Sequence, residues 1–126
     1  MKRLYLAGPM TGRRDLNKQA FTDAAKDLRA RGFTVWNPCE QDLRDRNRAG
    51  EEVVEWSAKM GLGYFMRKDL PQVCASDAVV VLPGWPKSKG ARREVRVARW
   101  CEIPVLRYPD LETIDAEVSA EDRIAA

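Results

Sequence analysis

Apolar residues along this chain fall into short blocks with two different rhythms. Residues 3–7, RLYLA, and 77–85, DAVVVLPGW, are nearly continuous apolar runs. Runs of that length, bounded by turn residues, predict strands covered on both faces. FTVW (33–36), closed by Asn37-Pro38, and IPVLRY (103–108) predict two more strands. Between the strands the period lengthens. From Leu16 to Arg31, residues Phe21, Ala24, Ala25 and Leu28 recur at helical spacing, and Gly32 supplies a stop. Glu51 to Ala75 predicts one or two helices, and Ala91 to Glu102 another. The polar stretch 39–50 predicts a loop, and SAEDRIAA (119–126) predicts a short terminal helix.

Strands alternating with helices predict an α/β fold, with a parallel sheet and right-handed crossovers. Ligands of such sheets sit beyond the carboxyl ends of the strands. Three segments then converge on one crevice: 8–15 after the first strand, 37–40 after the second and 83–90 after the third. The sequence shows no repeat or low-complexity segment, so residues 1–126 are expected to form one domain with a peripheral tail (110–126).

Composition narrows the class. The chain has 126 residues, 44% apolar and 33% charged, enough for one domain with a core. No apolar run reaches the length of a membrane span. The opening MKRLYLAGPM is basic and then apolar, but its apolar stretch is short and Gly8-Pro9 interrupts it, so it reads as a strand and not as a signal peptide. A net charge of +3 suits anionic small molecules and lacks the dense basic patch of a nucleic-acid binder. Cys39, Cys74 and Cys101 are odd in number and widely spaced, which points to reduced thiols and a cytoplasmic protein. Histidine is absent, which excludes His-based triads and His-ligated metals. Acid–base and nucleophilic work falls to carboxylates, Tyr and Lys.

Two carboxylates interrupt apolar stripes. On the helix 91–102, Ala91, Val95, Val97, Ala98 and Cys101 share one side, while Arg92, Arg93, Arg96 and Arg99 share the other with Trp100. Glu94 lies within the apolar stripe. An ionised carboxylate there is unfavourable unless a partner satisfies it. Placed in a first turn beside the crevice, Glu94 is either a capping acid of a helix begun by Ser88 or Gly90, or a functional group. Over 62–75, Leu62, Phe65, Met66 and Val73 form a stripe with Asp69 in its middle. Here DLPQ (69–72) has the form of a helix start, with Asp69 as N-cap, Gln72 at the capping-box position and Pro71 marking a break. Two acids directed at one crevice nevertheless form a candidate site.

The loop AGPMTGRRD carries Gly8 and Gly12 but matches neither GxGxxG nor a P-loop. It can still offer backbone N–H groups to an anion ahead of a helix, with Arg13 and Arg14 nearby.

Taken together, LYLAGPMTG, NKQAF, GFTVWNP and RKDLPQVCASDAVVVLPGWPKSKGARREVRVA resemble the nucleoside 2-deoxyribosyltransferase superfamily, and within it the small, phage-associated DUF4406-type branch. The resemblance covers about residues 3–107. It implies a flavodoxin-like three-layer fold with a five-stranded parallel sheet. It also implies cleavage of the N-glycosidic bond of a deoxynucleoside or its 5′-monophosphate, by hydrolysis or by transfer to a second base. Carried over residue by residue, it makes Glu94 the nucleophile, Asp69 the residue assisting at the nucleobase and Tyr5 the hydrogen-bond partner of the nucleophile. Ser88 takes the place of a phosphate contact beside Gly90, and Gly8, Met10 and Gly12 line the site. The chemistry calls for no metal or redox cofactor, and the family's habit of completing the site from a neighbouring subunit implies a homo-oligomer.

The sequence departs from that pattern at Glu94-Val95-Arg96, where the transferases commonly read Glu-Leu-Gly. PGW (83–85) belongs to the phage branch; Trp85 either stacks on a base or packs the loop. The partner expected is a small nucleoside or nucleotide, with neither a membrane nor a nucleic-acid polymer. Two other functions fit the same residues. One is a non-catalytic nucleotide-binding or sequestering module in phage–host conflict. The other is an interaction protein whose arginine face meets a partner.

Overall fold

A computed structural model describes residues 2–10, 13–40 and 53–114, without the side chains of 14, 15, 53–59 and 62. Gly12, most of the predicted loop 39–50 and the predicted terminal helix lie outside the described residues. The chain runs β1 (Arg3–Ala7), a 3-10 turn (Arg14–Asn17), α1 (Lys18–Ala30), β2 (Thr34–Trp36), α2 (Val53–Cys74), β3 (Ala78–Val81), a 3-10 turn (Trp85–Lys87), α3 (Lys89–Trp100), β4 (Val105–Arg107) and β5 (Glu112–Thr113).

The strands form one sheet in the order β2-β1-β3-β4-β5, the doubly wound, flavodoxin-like arrangement. β1 pairs in parallel with β2 and β3, and β3 with β4. The fifth strand differs from the parallel sheet expected. β5 runs antiparallel to β4, with Leu106 opposite Thr113 and Arg107 opposite Glu112. Only residues 108–111 separate the two strands, too few for a crossover, so the chain can only fold back.

Period-two alternation in β1 divides the core into two layers. Leu4 and Leu6 point to the side covered by α1, against Phe21, Ala24, Ala25 and Leu28, the four positions predicted from helical spacing. Tyr5 and Ala7 point to the other side, against Val73 of α2 and Ala91, Val95 and Ala98 of α3. The layering follows from handedness. β1→β2 steps one way along the sheet, and β2→β3 and β3→β4 step the other, so right-handed crossovers put α1 on one face and α2 and α3 on the opposite one. The step reverses between β1 and β3, and the crevice of a doubly wound sheet lies at that reversal.

Gly32, at φ 99°, ends α1 in the left-handed region as its N–H bonds the Arg29 carbonyl. α2 occupies the stretch predicted to hold one or two helices and is interrupted at Gly61 (φ 76°, ψ 171°). No break occurs at Pro71, which lies inside the helix. It comes within four residues of the helix end, where it removes one backbone hydrogen bond, and the packing of Leu70 and Val73 continues across it. No helix among the described residues is long and apolar enough to cross a membrane.

Candidate active site

Each side chain at the crevice arrives there for a local reason. Tyr5 is the third residue of β1, fully buried, and faces the α2–α3 layer. Glu94 is 6% exposed, on the same stripe of α3 as Ala91, Val95 and Ala98. The Tyr5 hydroxyl donates a hydrogen bond to Glu94 Oε2. A buried carboxylate needs such donors, because water no longer solvates it.

The capping alternative for Glu94 is not what the helix uses. α3 begins at Lys89, two residues earlier than predicted, so Glu94 lies in the second turn and the first turn holds no acid. Ser88 is the N-cap, and its Oγ accepts from the Ala91 N–H at 3.2 Å. Glu94 is left to face Tyr5 across the layer. The arginine side of the helix is as expected for Arg92 and Arg93, which are exposed with Trp100, whereas Arg96 and Arg99 are half-buried.

Asp69 is corrected more sharply. It is not an N-cap but an interior residue of α2, 5% exposed. It stands four residues before Val73, which packs with Tyr5 and Val95, so it shares that inward face one helical turn nearer the helix start. The end of α2 leads directly into β3, so one turn back along α2 is also one turn towards the carboxyl ends of the strands. The fold therefore gives Tyr5, Glu94 and Asp69 to one layer.

The loops beyond β1 and β3 close over this layer. Gly8 is where they approach each other. A Cβ there would lie 3.0 Å from Leu82 Cβ and 3.3 Å from Phe21 Cζ, and the Leu82 N–H bonds the Ala7 carbonyl. The reason for glycine at this point is close packing of the two strand ends. Met10 is half-buried and turns to the α1 layer. Ser88 and Gly90 stand at the head of α3. Trp85 is 8% exposed and belongs to the same buried cluster as Tyr5, Ala7 and Ala91. The 3-10 turn after the β1 loop touches α2.

Two residues are more prominent here than sequence spacing indicated. Gly84 has φ 85°, and a Cβ on it would lie 2.5 Å from Arg13 Nη2 and 3.5 Å from Pro9 Cγ. Arg13 thus lies over the backbone of the β3 loop and joins the two rims of the crevice. Asn37, at the end of β2, is 3% exposed and its Oδ1 accepts from the Cys39 N–H at 2.9 Å, which sets the chain turning after Pro38. A contact between residues 71 positions apart leaves no mark in local periodicity. A hollow runs along the edge strand β2 from Thr34 to Trp36, bounded by Arg3 of β1 and by Gln72 and Ser76 near the end of α2.

Comparison with known proteins follows the same outline. A family model described as Domain of unknown function (DUF4406) matches residues 2–107. No curated protein matches the sequence. Among solved structures, a 2-deoxyribosyltransferase from the psychrotolerant bacterium Bacillus psychrosaccharolyticus has a similar fold, with a TM-score of 0.59 and 22% identity over 83% of this chain and 70% of that one. A conserved protein from Enterococcus faecalis V583 is similar at a TM-score of 0.59 and 24% identity, over 96% of this chain and 69% of the other.

Proposed function

The chain belongs to the DUF4406 family, and from that premise we propose that it cleaves the N-glycosidic bond of a deoxynucleoside or a deoxynucleoside 5′-monophosphate, with Glu94 as nucleophile. The observation that carries this reading is the buried hydrogen bond from the Tyr5 hydroxyl to Glu94 beside the switch-point crevice. Similarity of fold to a 2-deoxyribosyltransferase supports it.

The chemistry follows from the groups present. Tyr5 holds one oxygen, Oε2, and in this reading the other oxygen is the one presented to the sugar. That second oxygen attacks C1′ of the sugar as the bond to the base breaks, through an oxocarbenium-like transition state. The bonding electron pair leaves with the base, and Asp69 supplies the proton that neutralises it. The glycosyl ester on Glu94 is then opened at C1′ by water, which gives hydrolysis, or by a second base, which gives transfer, and the proton lost by the attacking group returns to the Asp69 carboxylate. Glu94 is regenerated as a carboxylate in either case.

A 5′-phosphate has natural partners at the rim. The Ser88 Oγ accepts from Ala91 N–H through a lone pair, and its own O–H remains to donate. The first turn of α3 directs backbone N–H groups the same way, and Arg13 lies across the facing loop. These groups favour the monophosphate over the free nucleoside and, with it, hydrolysis.

The test is release of free base from a panel of deoxynucleosides and deoxynucleoside monophosphates, followed by chromatography. Wild type releases base, and Glu94→Gln, which keeps an acceptor for Tyr5, does not. Binding of a nucleotide by both proteins, with release by neither, replaces the enzyme with a nucleotide-binding module.

A further inference from the structure

We propose that Cys74 and Cys101 form an oxidisable dithiol, a modification site that closes to an intramolecular disulfide when a small-molecule disulfide such as oxidised glutathione is the oxidant. The two Sγ atoms lie 4.0 Å apart, and both residues are exposed. Bonding them requires an approach of about 2 Å, within reach of side-chain rotation. Cys39, the third cysteine, is buried in the opposite layer.

The fold creates the pair. Cys74 is the last residue of α2 and Cys101 follows the last residue of α3. Each thiol precedes a strand by a few residues, and those strands, β3 and β4, are parallel neighbours with Val79 opposite Val105. The sheet therefore brings two helix ends, and two thiols, side by side at the amino-terminal edge. Wide spacing in the sequence concealed this.

The reaction balances with glutathione disulfide. One cysteine thiolate attacks a glutathione sulfur, forming a mixed disulfide and expelling a glutathione thiolate. The other thiolate attacks the protein-bound sulfur and expels the second glutathione. Two protein thiols become one disulfide, one glutathione disulfide becomes two thiols, and the two protons pass to the departing glutathiones. Desolvation by the surrounding chain and the neighbouring Cys101 sulfur hold the Cys74 thiol above its usual range, so the exchange runs faster at mildly alkaline pH.

The bond would tie α2 to α3, the helices that carry Asp69 and Glu94 and otherwise meet through side chains such as Leu70, Val73, Ala91 and Val95. It would do so at the end of the sheet away from the crevice, leaving the crevice open.

The experiment uses the reduced full-length protein treated with oxidised glutathione at mildly alkaline pH, with intact mass, peptide mapping and thermal unfolding as readouts. The expected result is the loss of two hydrogens, a peptide pair joining Cys74 to Cys101, and a Tm raised by roughly 10 °C and restored by dithiothreitol. In Cys74→Ser, Cys101 retains a glutathione adduct because the resolving thiol is gone. Wild-type protein that carries separate adducts on both cysteines, or cross-links through Cys39 or between two chains, overturns the proposal.

Discussion

The hydroxyl of Tyr5 and the carboxylate of Glu94, 89 residues apart in the chain, share a buried hydrogen bond that ties β1 to α3. Removing the hydroxyl leaves the carboxylate in place and takes away a donor. Tyr5→Phe should lower stability by about 2 kcal/mol, the range for a hydrogen bond to a charged group. It should also lower kcat for base release by roughly 10- to 100-fold with KM little changed, because in the proposed mechanism Tyr5 orients the nucleophile and does not hold substrate. Thermal unfolding and steady-state kinetics on one preparation separate the two effects. An unchanged kcat would remove Tyr5 from the chemistry.

Period and chemistry were legible where neighbours in the sequence decide the outcome. Alternation in RLYLA places Tyr5 opposite Leu4 and Leu6, and helical spacing places Glu94 with Ala91, Val95 and Ala98. The capping alternative for Asp69 arises because Pro71 signals a break locally, while packing of Leu70 and Val73 holds the helix through it. β5 left little trace, since Glu112-Thr113 has no apolar run and pairs only because the preceding turn folds it back. The Arg13–Gly84 and Cys74–Cys101 contacts depend on tertiary structure, and no local pattern encodes them.

The Gly8 position tests how tightly the crevice floor is packed. In Gly8→Ala the new methyl meets Leu82 Cβ at 3.0 Å and Phe21 Cζ at 3.3 Å, both belonging to fully packed core residues. Such overpacking costs about 1–3 kcal/mol. The midpoint of denaturant unfolding should fall accordingly at an unchanged m-value. A neutral substitution would mean that the two strand ends can separate freely.

At Gly84 two effects can be told apart. Gly84→Ala forces a side chain into the left-handed region, at about 1–2 kcal/mol, and displaces the flexible Arg13 guanidinium 2.5 Å away. Arg13→Ala removes the same guanidinium without backbone strain. If Arg13 recognises a 5′-phosphate, both variants should lose preference for monophosphate over nucleoside by about 10-fold, the scale of one charge-assisted contact. Only Gly84→Ala should lose stability. Equal preference in all three proteins would assign Arg13 to the loop alone.

Asp77 gives the fold a dependence on acid. Its Oδ2 accepts from the Arg3 and Lys2 N–H groups, each at 2.8 Å, and these bonds hold its carboxyl below the usual carboxylate range. The folded protein therefore releases this proton at lower pH than the unfolded chain does. The stability it contributes is complete above the ordinary carboxylate value, about 4, and is lost as pH falls through the lowered one. Asp77→Ala should unfold at a lower denaturant concentration than wild type at pH 7, with the gap narrowing below about pH 4. A gap that widens on acidification would contradict this assignment.

Asp69 makes the most discriminating prediction, because its proposed work depends on the leaving group. A nucleobase departing with an electron pair is poor unless it is protonated, and a positioned acid contributes about 10²- to 10⁴-fold to such a step. Asp69→Asn keeps the shape of the side chain in its buried place on α2 but cannot deliver the proton. Base release from deoxyadenosine or deoxyguanosine substrates should fall by about that factor. A 7-methylguanine deoxynucleoside already carries the positive charge that protonation would create, so its cleavage should fall far less in the variant. The ratio of the two rates, measured by chromatography for wild type and variant, isolates proton delivery from any loss of folding, since misfolding would lower both alike. Equal losses on the two substrates would show that Asp69 serves the helix and not the leaving group.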